Sequence, residues 1–87
     1  MSNLVHQVQP VYPSLAQKTH TQGVVLLEAV ITREGTIDPA RIRVISGHVL
    51  LNDAAIDAVK QWRYKPTLLN KVPVEIVTTI AVNFTFN

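Results

Sequence analysis

Val74-Glu75-Ile76-Val77-Thr78-Thr79-Ile80-Ala81-Val82-Asn83-Phe84-Thr85-Phe86 alternates from end to end. Its even positions are Val, Ile, Thr, Ile, Val, Phe and Phe, and its odd positions are mostly smaller or polar. A period of two over this length is the signature of a strand with one buried face and one open face. Val24 to Thr32 is also strand-like but nearly apolar on both faces, which suits a central position. Arg33-Glu34-Gly35-Thr36 supplies a turn, and the chain returns as a second strand near Arg41 to Ser46. Asp38-Pro39-Ala40 makes the start of that return irregular, because proline cannot donate to a ladder.

Between the second strand and the last, the pattern changes to a helix. Asn52 is expected to cap it, with Leu51 and Ile56 as a hydrophobic staple and Asp53 and Asp57 towards the positive end. Ala55, Val59 and Trp62 share a face, Lys60, Arg63 and Lys65 gather at the negative end, and Pro66 is the stop. A shorter helix is expected from Pro13 to about Thr19, preceded by an extended lead in which Pro10 and Pro13 restrict the backbone. The economical topology is an α+β fold, α-β-β-α-β. Its three-stranded antiparallel sheet has order 2-1-3 and carries two helices on one face, so the last strand is an edge. At about 3.3 Å per residue that strand reaches roughly 43 Å against roughly 30 Å for the first, so about four residues are expected to overhang. An exposed apolar edge is a template for a further strand.

At 87 residues, 47% hydrophobic and 16% charged, the chain suits one folded domain. The expected division is a lead over 1–10 and a domain over 11–87. With a net charge of +2 spread along the sequence and no cysteine, wholesale phosphate binding and thiolate or disulfide chemistry are not indicated. No apolar run approaches the roughly 20 residues that cross a bilayer, and Met1 to Pro10 lacks a signal-peptide core. His6, His20 and His48 have no paired-ligand spacing, so no metal is expected. Ser46-Gly47-His48 reads as a turn, Asp53 and Asp57 as helix electrostatics, and no catalytic residue or cofactor is expected.

Taken in order, Gln9-Pro10-Val11-Tyr12-Pro13, Gly23, Gly35, Ser46-Gly47 and Trp62-Arg63-Tyr64-Lys65-Pro66 resemble the C-terminal domain of TonB-type energy transducers over nearly the whole chain. The resemblance implies a non-enzymatic periplasmic domain. The full-length protein would be anchored in the inner membrane, coupled to the ExbB/ExbD motor through an N-terminal anchor that this sequence lacks. The implied partner is an outer-membrane receptor whose Ton box adds to the last strand. By correspondence the contact falls on Ile80, Ala81, Val82, Asn83, Phe84, Thr85 and Phe86, and on Gln9, Pro10, Tyr12 and Pro13.

Val11 departs from the polar residue of the best-known members. Val24, Leu26 and Val30, with Val77 and Ala81, make an apolar patch where those members are more polar, and a homodimer through the last strand is a competing use of the edge. Alternatives are a TonB-like fold binding another envelope protein or peptidoglycan, or a small nucleic-acid-binding module. The last is prompted by a pI of about 9.3 with Tyr64, Phe84 and Phe86, but it lacks the aromatic signature of an RNA-recognition strand. No nucleic acid is expected.

Overall fold

Burial of alternate side chains organises the chain into nine elements in the computed structural model, which describes residues 4–86. Met1–Asn3 of the lead, and Asn87 at the end of the expected domain, lie outside the described residues. In chain order the elements are β1 (Leu4–His6), α1 (Ser14–Lys18), β2 (Gly23–Ile31), β3 (Ile37–Ser46), α2 (Val49–Val59), β4 (Arg63–Tyr64), β5 (Thr67–Leu69), β6 (Val72–Val74) and β7 (Ile76–Phe84). The main sheet has the order β3-β2-β7, antiparallel throughout, which is the expected α+β topology. β2 is its centre, with Val25, Leu27, Ala29 and Ile31 buried. They meet Ile80, Val82 and Phe84 of β7 and Leu51, Ala55 and Val59 of α2 in one core. Each Leu or Phe so buried contributes about 1.5–3 kcal/mol.

β2 and β7 pair nine residues to nine, from Gly23 opposite Phe84 to Ile31 opposite Ile76. The expected overhang is therefore absent, and the last strand is shorter than its alternation at both ends. Val74 is drawn into a separate hairpin, opposite Thr67, around a turn in which Asn70 and Lys71 have φ of 51° and 68°. Glu75 breaks the run, its carboxylate gripped by Arg41 through Nη1 at 3.0 Å and Nη2 at 2.5 Å. Beyond Phe84, the Phe86 N–H donates to Gln22 Oε1 at 3.0 Å instead of continuing a ladder.

The second helix begins earlier and ends earlier than the sequence reading. His48, not Asn52, is the cap, its Nδ1 accepting the Leu50 N–H at 3.0 Å. The Asn52 amide turns back and donates to the Gly47 carbonyl at 3.4 Å. At the other end the helix stops at Val59, and tighter bonds from Gln61 to Ala58 and from Trp62 to Val59 close it. Trp62, Arg63 and Lys65 are therefore not helical, and Arg63 and Lys65 cannot serve the helix dipole. Two forces override the pattern. Pro66 pushes Lys65 into an extended conformation, and the Tyr64 N–H is taken by the Gly35 carbonyl at 2.8 Å. Gly35 has φ of +87°, and a Cβ there would fall on the Tyr64 carbonyl oxygen.

The irregular start of β3 is present as a register shift, with Ile31 opposite Ile37 and Ala29 opposite Ile42. Asp38 and Ala40, inside that shift, close a local turn, the Ala40 N–H donating to Asp38 Oδ1 at 2.9 Å.

Candidate functional site

β7 is the outer strand of the main sheet, and among the described residues no strand pairs with its far edge. A cleft of about 370 Å³ runs along that edge, lined by Ile76, Thr78, Thr79, Ile80 and Ala81 on one side. Trp62, Tyr64, Lys65 and Thr67 form the other wall. A second cleft of about 200 Å³ takes up Ala81, Val82 and Asn83, with Gln7, Gln9 and Pro10 from the lead. Trp62 lines both. Inward and outward residues of one strand line the same space only where that space faces the backbone edge. The clefts therefore trace open strand edge from Thr78 to Asn83.

The side chains of Ile80, Val82 and Phe84 are buried, so those residues can offer a partner only backbone. Ala81 and Asn83 point the other way and are exposed. Thr85 and Phe86 lie beyond the strand. Tyr12 stands edge-on to Phe84, with ring centroids 5.4 Å apart, and stacks on Phe86 at 4.9 Å. Its hydroxyl donates to the Thr21 carbonyl. The structure thus brings Gln9, Pro10 and Tyr12 against the C-terminal half of β7, although some 70 residues separate them in sequence. Pro13 is turned away from this edge. It precedes α1 and lines, with Val11, Ala54 and Asp57, a different groove of about 340 Å³ against α2.

The lead is held by two contacts that sequence reasoning did not find. Leu4 and His6 pair with Tyr64 and Arg63 as a short ladder, and Trp62 Nε1–H donates to the Val8 carbonyl at 3.0 Å. Trp62 is buried, as its apolar neighbours suggested, but its indole nitrogen has this second task. Tyr64, Lys65 and Thr67, the far wall of the cleft, were also missed as site residues. The available signal was Pro66, which argues for an extended Lys65 rather than a helical one.

Charge on the opposite edge of the sheet is arranged around Arg41 of β3. Its guanidinium spans from Asp38 Oδ2 at 2.7 Å to Glu75, tying β3 to the residue before β7. Glu75 is held below the ordinary carboxylate range chiefly by that bond, and Asp38 by the Ala40 N–H first and Arg41 second. Burial pushes the Tyr64 hydroxyl up. On the uncovered sheet face Leu26 lies opposite Ala81 and Val30 opposite Val77, with Val24 opposite Asn83. The expected apolar patch is thus assembled, crossed by an ion pair of 2.9 Å between Arg43 and Glu28. Among the described residues no cluster of three or more His, Cys, Asp or Glu stands ready for a metal, and no helix is long and apolar enough to cross a membrane.

Residues 8–86 match the family described as Gram-negative bacterial TonB protein C-terminal. The chain belongs to the TonB C-terminal family. It is 35% identical over 78 residues to Protein TonB of Vibrio cholerae serotype O1, covering 90% of this chain and 32% of that protein. It is 28% identical over 83 residues to Protein tonB2 of Pseudomonas aeruginosa, covering 95% of this chain and 31% of that protein. This TonB domain thus spans about a third of the length of these curated relatives. The fold is also similar to the solution NMR structure of the Pseudomonas aeruginosa TonB CTD. The TM-score is 0.77 at 26% identity, over 95% of this chain and 84% of that one.

Proposed function

We propose that this domain is the periplasmic, receptor-binding end of a TonB-type energy transducer. It receives an extended receptor segment, the Ton box, as an additional strand on the outer edge of β7. The rest of the transducer, anchored in the inner membrane, couples it to the ExbB/ExbD motor, and the domain itself performs no chemistry.

The observation that carries the reading is the unpaired edge of β7, lined by consecutive residues from Thr78 to Asn83 and backed by a formed wall. Family membership supports a receptor as the class of partner. Each added backbone hydrogen bond nets about 0.5–1.5 kcal/mol, and bonds loaded together in shear resist a pull even when affinity is modest. Ile80, Val82 and Phe84 contribute main-chain groups, while Ala81 and Asn83 flank the new strand with side chains. Gln9 and Pro10 bound the far end of the track, and Tyr12 fixes Phe86 beside it. Pro13 acts only by starting α1.

Because the chain has no cysteine, disulfide trapping tests this directly. Single cysteines at Thr79, Ala81 or Asn83 should cross-link to a Ton-box peptide carrying cysteine on the matching face. Cysteines on the far side, at Arg41 or Arg43 of β3, should not. Equal trapping at both places contradicts strand addition. The same edge is available to a second copy, and sedimentation with and without peptide separates the two uses.

A further inference from the structure

Resting on the strand-addition reading, we infer that Lys65 reads charge in the incoming segment, making the β7 edge selective for extended peptides with a carboxylate beside it. The cleft along β7 is lined by Leu4, Ile31, Trp62, Tyr64, Thr67 and residues of the strand itself, all uncharged, and by Lys65. One charged residue therefore lines the space an added strand would fill.

Among the described residues no carboxylate is paired with Lys65. Among the described residues the ion pairs join Arg41 to Asp38 and Glu75, and Arg43 to Glu28. None involves Lys65. The neighbouring cation, Arg63, is turned to the Trp62 carbonyl at 3.1 Å and does not line the cleft. The backbone under Lys65 is also fixed. The Tyr64 N–H is bonded to Gly35 on one side, and Pro66 restricts the other. Lys65 is exposed, so its ammonium is free to turn towards a strand laid in the cleft, and its attraction to a carboxylate there is screened by salt.

An acidic side chain on the face of the peptide turned towards that wall meets this ammonium, whereas one turned to the opposite face does not. Discrimination therefore depends on register as well as on composition. That dependence distinguishes the inference from a general attraction between an anionic peptide and a domain of charge +2.

The test uses a set of acetylated, amidated heptapeptides of Val and Thr in which a single Glu is moved along the sequence. Each peptide is paired with its Gln counterpart, and binding is measured by fluorescence anisotropy at low and at 0.5 M salt. At alternate positions Glu should bind about two- to fivefold more tightly than Gln, in the range of exposed ion pairs, and the ratio should shrink with salt. Lys65→Glu should invert the ratio, and Lys18→Glu, the same charge change on α1, should leave it unaltered. An unchanged ratio in Lys65→Glu, or an equal loss in Lys18→Glu, overturns the assignment to Lys65. Strand addition itself fails, and the inference with it, if no peptide binds or if N-methylating alternate peptide nitrogens does not weaken binding.

Discussion

Replacing Trp62 with Phe removes the donor that pins the lead while keeping an apolar ring in the core. The Val8 carbonyl then loses a bond of 3.0 Å. That acceptor is partly buried, so the cost includes its incomplete resolvation as well as the bond, about 1–3 kcal/mol. The smaller ring leaves some volume unfilled beside Val59 and Ile80, which adds to the cost. Taking about 2 kcal/mol, and about 4–8 °C per kcal/mol for a domain of this size, the melting temperature should fall by roughly 8–16 °C. Near-ultraviolet circular dichroism gives the melt, and hydrogen exchange of the lead gives its location. Exchange should rise in residues 4–10 well below the global transition, because the lead loses its side-chain anchor at Val8. A melt within about 2 °C of the parent, with the lead as protected as before, would refute the pin.

Gly35→Ala should destabilise by about 1–3 kcal/mol or more in urea titration, because it puts a side chain at positive φ and against the Tyr64 carbonyl. His48→Ala should cost about 0.5–2 kcal/mol by loss of the α2 cap, and His48→Asp should recover most of it. Acid should weaken the clamp on Arg41. Glu75 and Asp38 have folded values below their unfolded ones, so their contribution is present above the ordinary carboxylate range and is lost as pH falls through and below it. Urea midpoints at pH 7 and pH 3 should therefore differ less in Arg41→Gln than in the parent.

Much of the sheet was legible because strand alternation is a local signal that burial enforces. Val25, Leu27, Ala29 and Ile31 are buried as their spacing implies, and so are Ile80, Val82 and Phe84. What failed was the position of ends. Thirteen alternating residues do not reveal that only Ile76–Phe84 pair with β2, because the limit comes from Gly23 and Ile31 on the neighbouring strand. Trp62 continues a helical stripe on paper, yet Gly35, 27 residues earlier, takes the Tyr64 N–H and draws the chain into β4. The cap was misplaced for a simpler reason, since an imidazole nitrogen can replace the usual Asn or Ser side chain.

For the site, sequence supplied the strand and the Gln-Pro segment but not their wall. Tyr64, Lys65 and Thr67 line the cleft only because β4 is held by β1 on one side and by Gly35 on the other. No single segment encodes that arrangement.

Strand addition at the β7 edge is tested most directly by nuclear magnetic resonance on the isotope-labelled domain with an unlabelled Ton-box peptide. Cross-strand nuclear Overhauser contacts should run from the peptide backbone to residues 76–83, with new amide protection at alternate positions of β7. Contacts confined instead to the groove between Val11 and α2, or to the face bearing Val24, Leu26 and Val77, would contradict it.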